Sequence, residues 1–374
     1  MISASGRADD REMARVPKAR PPSLFLQRLK AYLATVATVA LACAIYRYSP
    51  YNGSELGALY GPPRWTFTGA DFLLASAVVY SLLLAPYFLF AADPCASKSL
   101  RFFQLAWRLA RSPRQTLASP LARDDRVAVL ATLLKMFFAP LMAMQLMSFC
   151  VGALASGAAL LHFGVTATSL RSVFDDHIFW MVLRAILFVD VLVFTLGYLV
   201  ESPRLGNPIR SVDPTLRGWA VALLCYPPFN MVTGAVLGSS TSEFPQFSNT
   251  SVHITMNVTV LCLMAIFAWA GLSLGWKASN LTHRGIVSRG AYAWVRHPAY
   301  ASKNLAWWIG AAPFVSTAFA QSLVAGLQAL LSVAGVSLLY LLRALTEEDH
   351  LRSVDGDYAA YAARVRFRFI PGVI

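Results

Sequence analysis

Residues 253–276 read HITMNVTVLCLMAIFAWAGLSLGW and contain no Asp, Glu, Lys or Arg. An α-helix needs about 20 mostly apolar residues to cross the hydrocarbon core of a bilayer, and this stretch is long enough. Similar stretches occur on both sides of it along the chain. The sequence therefore predicts an all-α fold, a polytopic bundle of membrane-spanning helices.

The composition of the whole chain agrees with a membrane protein. Of its 374 residues, 57% are hydrophobic and 14% are charged, and the mean hydropathy is +0.53. A soluble domain has about 25% charged residues. The net charge of +13 would suggest a nucleic-acid partner in a soluble protein, but no basic stretch is interleaved with aromatic residues on a polar scaffold. We therefore expect membrane lipids rather than nucleic acid as partners, and assign the basic residues to loops beside the membrane.

About eight segments have the length and composition of a spanning helix. They are 27–46, 71–92, 127–150, 178–200, 216–238, 253–276, 303–319 and 322–346. The third is open to continuation through 151–161, and a short turn joins the last two as a helical hairpin. Pro227 and Pro228 interrupt the fifth, for which we favour a plain kink over a break that lines a cavity.

The distribution of Lys and Arg predicts how these segments are oriented. With the N-terminus inside, the inside segments hold 27 of the 32 Lys and Arg residues. Because basic residues are retained on the cytoplasmic side, both termini are predicted to be cytoplasmic, in a bacterial inner membrane or an ER-type membrane. Residues 1–26 are predicted to be a disordered basic tail. Segment 99–117 is either an interfacial amphipathic helix or an ordinary connecting helix.

Few polar residues interrupt the predicted spans. Lys135 and Arg184 lie about a third of the way into their segments, and we expect both to snorkel towards the boundary. Asp190 lies mid-span, six residues from Arg184 and off its helix face, so its polar contact stays unassigned. The five cysteines form no CxxC pair, and neither a disulfide framework nor a metal site is predicted.

A first polar cluster, Arg296-His297-Pro298, stands directly before an apolar segment. Tyr300 follows it, and Gly290 and Tyr292 precede it in a stretch that glycines allow to turn closely around a ligand. Pro298 is suited to the first turn of the next helix, where its missing N–H costs nothing. The free N–H groups of that helix N-terminus suit a carboxylate.

A second polar cluster lies at the inner end of the last predicted span. Arg343 and Glu347 are four residues apart and share a helix face, whereas Glu348 points to a different azimuth. Carboxylates at a dry membrane boundary would attract a positively charged ligand group strongly. Because the two clusters are predicted to face each other across the hairpin, we favour a binding site over ordinary helix-end charges.

These residues resemble the isoprenylcysteine carboxyl methyltransferases, and parts of the pattern are shared with phospholipid N-methyltransferases and bacterial thiol methyltransferases. The resemblance covers about residues 277–374. It consists of Arg296-His297-Pro298-Ala299-Tyr300, a hairpin, Arg343-x-x-x-Glu347-Glu348-x-x-Leu351, Tyr358-x-x-Tyr361 and Phe369-Ile370-Pro371-Gly372. The sequence departs from the family pattern at Ser302, where glycine is common, and at Val354-Asp355-Gly356, where a phenylalanine-glycine pair is common.

The resemblance implies an enzyme that uses S-adenosylmethionine, with residues 253–374 as the catalytic module and 27–252 as a divergent transmembrane bundle that selects the substrate. It implies catalytic roles for Arg296, His297, Arg343 and Glu347. It implies cofactor binding by Gly290, Tyr292, His297, Pro298, Tyr300, Glu347, Glu348 and Tyr358. For Glu347 and Glu348, the alternative is that they hold the basic residues in place, and Arg296 or Arg343 is a candidate for the cofactor carboxylate.

The expected substrate is hydrophobic or lipid-like and enters from the bilayer, and its methyl acceptor could be a carboxylate, an amine or a thiol. Two other functions stay open. One is a sterol-type reductase that uses NADPH and has a related motif. The other is a lipid-binding or transport protein without enzymatic activity.

Overall fold

The computed structural model describes residues 23–61, 65–91, 93, 96–161, 170–238 and 241–373. The tail predicted at 1–26 lies outside these ranges except for its last four residues. Ser23 caps the first helix there, since its hydroxyl accepts a hydrogen bond from the Leu26 N–H at 3.3 Å. Cys95 also lies outside the described residues.

The described chain is mostly helical, and its core is built from helices. The helices are α1 Leu24–Tyr48, α2 Gly53–Gly57, α3 Gly69–Pro86, α4 Lys98–Arg111, α5 Pro113–Leu117, α6 Arg123–Leu161, α7 Leu170–Val173, α8 Phe179–Leu199, α9 Leu216–Leu223, α10 Asn230–Leu237, α11 Thr250–Leu274, α12 Pro298–Gln321, α13 Leu323–Val354 and α14 Asp357–Arg364. Single π-helical turns extend α3 and precede α8.

Four strands of two residues each form two small antiparallel pairs. They are β1 Leu59–Tyr60, β2 Phe67–Thr68, β3 Ser211–Val212 and β4 Thr282–His283. β1 pairs with β2, and β3 pairs with β4 in a register that sets Ser211 opposite His283. The second pair joins the loop after α8 to the loop after α11, and thereby fixes the position of both loops at one end of the bundle.

Among the residues that the structure describes, six helical segments are long and apolar enough to cross a membrane. They are Leu24–Tyr48, Gly69–Ala91, Arg123–Leu161, Arg171–Leu199, Thr250–Lys277 and Leu323–Val354. The protein is thus an all-α membrane protein, as the composition indicates. The count of eight spans is not confirmed, because the segments predicted at 216–238 and 303–319 do not belong to this set.

The segment predicted at 216–238 is two short helices, α9 and α10, which both pack against α13. The chain between them passes through Pro227 and Pro228. Proline lacks the N–H that a helix needs and clashes with the carbonyl four residues earlier, so two in succession end the helix rather than kink it. The segment predicted at 303–319 is α12, which packs between α11 and α13 and forms the predicted hairpin with α13.

Helix α6 is the longest element and organises the first half of the chain. Its 39 residues include 151–161, so the continuation left open by the sequence is present. At 1.5 Å per residue it is about 58 Å long, well beyond a hydrocarbon core of about 30 Å. Its first turn carries Asp124 and Asp125, which pair with Arg101 at 3.1 Å and Arg108 at 2.8 Å. These pairs attach α4 to α6.

The main core forms where α6 packs against α8. Leu134, Phe138 and Met144 of α6 are completely buried there, and the Phe138 ring stacks on Tyr198 of α8 with ring centroids 5.2 Å apart. Side chains of α1, α3 and the β3 loop complete this cluster. The same packing places the C-terminal end of α8 beside the loop that follows α11.

The two basic residues inside predicted spans both have polar partners in the protein. Arg184 of α8 donates hydrogen bonds to the Ser156 hydroxyl at 2.6 Å and to the Gly152 carbonyl at 3.2 Å, both on α6. Lys135 pairs with Glu201 at 2.6 Å. Their partners belong to neighbouring helices and loops, which the spacing within one helix does not show.

Candidate functional site

A cavity of about 530 Å³ lies among α6, α8, α11, α12 and α13, and the loop that follows α11 forms part of its wall. Residues from both predicted polar clusters line it. They are Tyr292, Arg296, His297, Tyr300, Arg343, Glu347 and Tyr358. The remaining predicted site residues, Gly290, Pro298 and Glu348, do not line the cavity. The structure thus brings most of the predicted site together around one space.

The chain segment after α14 holds the beginning of α12 in place. The N–H of Arg296 donates to the Phe367 carbonyl at 2.9 Å, and that of His297 donates to the Arg368 carbonyl at 2.8 Å. Pro298 occupies the first turn of α12, as its ring geometry predicts. These main-chain bonds align the Arg-His-Pro segment beside the cavity.

Aromatic packing keeps this segment in place. Tyr358 and Tyr361 of α14 are buried and pack with Val365. The Tyr361 hydroxyl donates to the Tyr292 carbonyl at 3.0 Å. Burial raises the pKa of Tyr361 to about 12, and burial together with Glu347 raises the pKa of Tyr292. Both phenols are therefore neutral at physiological pH and form uncharged walls of the site.

Glu348 is the centre of an ion-pair network and is completely buried. Its oxygens accept hydrogen bonds from four side chains, namely Arg352 Nη2 at 2.6 Å, Arg296 Nε at 2.8 Å, His297 Nε2 at 3.2 Å and Arg368 Nε at 3.2 Å. Arg296 and His297 belong to the loop before α12, Arg352 to α13 and Arg368 to the segment after α14. The contacts agree with the alternative in which a glutamate holds the basic residues in place.

Glu347, its neighbour, faces the cavity and is partly exposed. Its Oε1 accepts a hydrogen bond from the Tyr300 hydroxyl and one from Arg343 Nε at 3.4 Å, and its Oε2 lies 3.9 Å from His297 Nδ1. The Tyr300 and His297 rings stack with centroids 5.5 Å apart. Adjacent positions on a helix differ by about 100° in azimuth, which explains why the two glutamates have different surroundings.

Arg343 is buried in a polar and aromatic cage at the wall of the cavity. Its guanidinium carbon lies 5.1 Å from the ring centroid of Tyr300, 5.4 Å from that of Tyr226 and 6.0 Å from that of Tyr340. Its Nη2 donates to Asn280 Oδ1. Three ring faces and two polar partners hold the charge in place and leave it next to the space that a ligand would occupy.

The sequence did not single out Arg284, although the stretch around it is visibly rich in polar residues. Arg284 is 2% exposed and lines the cavity. Its Nη1 donates to the Asn207 carbonyl at 3.1 Å, while Nε and Nη2 have no hydrogen-bond partner among the described residues. Burial lowers the pKa of this guanidinium from its ordinary value, and Glu201 opposes the shift. A buried cation with two spare donors suits an anionic ligand group.

Tyr226 and Pro227, at the break between α9 and α10, line the same cavity. The plain kink favoured from the sequence is therefore wrong here, and the cavity-lining alternative describes the structure. Asn280 is a further wall residue that sequence reasoning missed, and it bonds the hydroxyls of Tyr198 at 2.8 Å and Tyr226 at 3.1 Å. No local pattern marks these residues, because their contacts join segments more than 50 positions apart.

Gly290 has a structural reason to be glycine. Its φ of +60° is in the left-handed region, and a Cβ at this position would lie 2.3 Å from the Ser273 hydroxyl oxygen. The next N–H, that of Ala291, donates to the same hydroxyl at 3.1 Å. The glycine thus lets the loop turn against α11 before it reaches the Arg-His-Pro segment.

The other end of the cavity lies within the apolar part of the bundle. Phe149, Leu183 and Met264 are part of its lining there, together with Asp190 and Lys303. Asp190 is therefore not paired with Arg184 or Lys135, the two partners available to it from the sequence. The charge that acts on it is that of Lys303.

In the part of the chain that the structure describes, no group of three or more His, Cys, Asp or Glu side chains could hold a metal ion.

Comparison of the chain with protein-family models found no match, and comparisons with curated proteins and with solved structures found none either.

Proposed function

We propose that the protein is a membrane enzyme related to the isoprenylcysteine carboxyl methyltransferases, and that it transfers a methyl group to a hydrophobic or lipid-like acceptor. One observation carries this proposal. Two clusters of predicted site residues, about 50 positions apart in the chain, line a single cavity that continues into the apolar interior of the bundle. The part of the cavity lined by the two clusters is called the polar chamber, and the part lined by Phe149, Leu183 and Met264 is called the apolar chamber. A polar chamber joined to an apolar one suits a water-soluble cofactor and a hydrophobic substrate.

The polar chamber has the groups that S-adenosylmethionine requires. The cavity volume of about 530 Å³ is within the usual range for small-molecule sites. Glu347 would hold the amino group of the cofactor, and the guanidinium of Arg284, which also lines the cavity, would hold its carboxylate. The faces of Tyr300 and His297 offer stacking surfaces. When bound, this cofactor supplies an electrophilic methyl group on a sulfonium.

The residues of this chain would then align the acceptor and exclude water, which are the main requirements of an in-line displacement. A carboxylate acceptor needs no base, whereas an amine or thiol must lose a proton. In the neutral ring of His297, Nε2 would donate its proton to the carboxylate of Glu348, and Nδ1 would then have a free lone pair. Nδ1 is therefore the atom that would take the proton.

We further propose that the chamber opens to the cytoplasm and that both termini are on that side. The support is the concentration of Lys and Arg in the segments on the side of the chamber. The acceptor would reach the apolar chamber laterally from the bilayer.

Binding of the cofactor tests this proposal directly. We expect purified protein in nanodiscs to bind S-adenosylmethionine saturably, and Glu347→Gln to weaken this binding at least about tenfold because one charge-assisted contact is lost. Asp349→Asn is the matched control, since Asp349 lies on the same helix with its side chain 65% exposed, outside the cavity. Equal affinities for Glu347→Gln and the wild type would contradict the proposed site.

A second candidate is a reductase that uses NADPH, and the basic residues at the cavity favour it. Lys277 lines the cavity with Arg284, and the charges of Arg210 and Arg289 act on Lys277. Such a group would suit a phosphate. Saturable binding of NADPH without binding of S-adenosylmethionine would support this candidate, and binding of neither would favour a protein without enzymatic activity.

A further inference from the structure

Asp190 has a buried carboxylate oxygen that is not satisfied by the protein. The residue is 6% exposed, and its Oδ1 has no hydrogen-bond partner within the residue ranges described. Asp190 belongs to the apolar segment Arg171–Leu199 and lines the cavity. A buried acceptor without a partner costs about 1–3 kcal/mol, so a group that persists in this state suggests a ligand that completes it.

Oδ1 of Asp190 packs against α11, and Asp190 borders the cavity. Gly271 of α11 lies opposite, and a Cβ at that position would lie 2.4 Å from Oδ1. Leu183, Leu187 and Phe194 of α8 share the helix face of Asp190 and line the cavity with it. The Asp190 carboxylate is therefore a polar group surrounded by apolar side chains on this face of α8.

Lys303 defines the side of the chamber nearest the proposed methyl-transfer site. It lies one turn after Tyr300 on α12, and Trp307 lies one turn further along the same face. Its ammonium is 5.1 Å from the ring centroid of Phe267 and 5.2 Å from that of Trp307. The aromatic faces thus hold the Lys303 ammonium at the wall of the cavity. Tyr292 is near both parts of the cavity, since the charges of both Asp190 and Glu347 act on it.

We propose that this apolar chamber binds an amphiphile whose amine or hydroxyl group donates a hydrogen bond to the Asp190 carboxylate and whose hydrocarbon part packs on the apolar lining. The inference deepens the proposed function and rests on it for the identification of this amphiphile as the methyl acceptor. A carboxylate head brings no hydrogen-bond donor to Asp190, and we expect it to bind more weakly at this position.

Photolabelling without any cofactor tests the chamber by itself. The probe is a dodecylamine with a diazirine near the end of its chain, and its hydroxyl and carboxylate analogues are used beside it. We expect saturable labelling, in nanodiscs, of the peptides that contain Phe149 or Met264. The amine or the hydroxyl probe should label at concentrations at least about tenfold lower than the carboxylate probe, because only the amine and the hydroxyl donate a hydrogen bond to Asp190.

Variants connect the labelling to the carboxylate. Asp190→Asn should raise the half-saturating concentration of the amine or hydroxyl probe at least about tenfold. Gly271→Ala should also raise it, because the added methyl group would lie 2.4 Å from Oδ1 and displace the carboxylate. Asp176→Asn is the matched control, since Asp176 precedes the same helix, is exposed and does not line the cavity. Labelling that neither Asp190→Asn nor Gly271→Ala changes would overturn the inference, as would equal labelling by the carboxylate probe.

The failure of this inference can be told apart from that of the proposed function. Titration of the same samples with S-adenosylmethionine reports on the polar chamber only. If labelling does not depend on Asp190 but the cofactor still binds, the inference about the amphiphile is wrong and the methyltransferase proposal stands. Asp190-dependent labelling without cofactor binding would keep this chamber and remove the reaction assigned to it.

Discussion

The charged cluster around Glu201 and the charged residues of the cavity differ in how completely their polar atoms are paired. Glu201 accepts hydrogen bonds from Lys98, from Lys135 at 2.6 Å and from the Ile209 N–H at 2.9 Å. Burial alone would raise the pKa of Glu201. The charges of Lys135 and Lys98 nevertheless hold this pKa well below its usual range. This cluster is complete without any ligand and joins α4, α6 and the loop after α8.

The cavity contains groups that are incomplete in the described structure. Arg284 has two donor nitrogens without a partner, and Asp190 has one such oxygen. Both residues are buried, so the missing hydrogen bonds cost free energy that contact with bulk water does not offset. We propose that complete clusters stabilise the fold and that incomplete groups bind ligands. The following predictions test that division, from the largest effect to the smallest.

Glu348→Gln should have the largest effect on stability. The substitution leaves the cations of Arg296, Arg352 and Arg368 without their buried carboxylate, and breaking such a network costs about 3–5 kcal/mol. We expect a much lower midpoint of thermal unfolding and early proteolysis after α14. Asp349→Asn, at a side chain that is 65% exposed on the same helix, is the control and should keep its midpoint. A Glu348→Gln variant with wild-type stability would show that the network is not what holds this segment.

Glu201→Gln should destabilise the protein less, by about 1–2 kcal/mol. Its lysine partners are 21% and 26% exposed at their side chains and can reach water when the carboxylate is lost. Affinity for S-adenosylmethionine should change little in the folded fraction. Chemical denaturation in detergent measures the first quantity and equilibrium binding the second. A large loss of affinity at unchanged stability would place Glu201 with the ligand-binding groups instead.

Arg284→Met should separate binding from stability. It removes a buried cation with unpaired donors, so the free energy of unfolding should stay unchanged or increase slightly. The affinity for S-adenosylmethionine should fall about tenfold because the partner of its carboxylate is lost. Isothermal titration and thermal unfolding on the same preparation check both results. Strong destabilisation without ligand would mean that Arg284 is a structural group like Glu348.

The smallest effect concerns pH and His283, which lies in β4 with its Nε2 2.7 Å from Asp355 Oδ2. Burial lowers the pKa of His283, aided by Arg210 and Lys277 and opposed by Asp355. The unfolded chain therefore binds a proton at higher pH than the folded chain does. Stability should be greatest above about pH 6.5 and should fall as the pH decreases through that value. His283→Gln should flatten this slope in unfolding measurements between pH 5 and 8. An unchanged slope would assign the titration to another group.

Local pattern was sufficient for several elements of the fold. The apolar run at 253–276 predicted α11, whose described bounds are Thr250–Leu274. The hairpin of α12 and α13 and the position of Pro298 in the first helical turn also follow from the sequence. The division of 216–238 into α9 and α10 does not, because two prolines predict a disturbance of the helix without showing which neighbours satisfy the freed backbone.

For the candidate site, the sequence found the two clusters and their common location, but not the division of labour within them. It did not show that Glu348 is enclosed by cations while Glu347 faces the cavity. It also missed that Arg284, Asp190 and Lys303 line the same cavity. Each of these features depends on segments that are remote along the chain.

By itself, the sequence determined that the protein is an all-α membrane protein, because transfer of apolar side chains from water to lipid depends on residue type and run length alone. Only the tertiary structure decided which polar groups are satisfied and which remain available, since that depends on the azimuth of each helix and on side chains contributed by other helices. The ion-pair network at Glu348 and the incomplete groups at Arg284 and Asp190 are consequences of that packing.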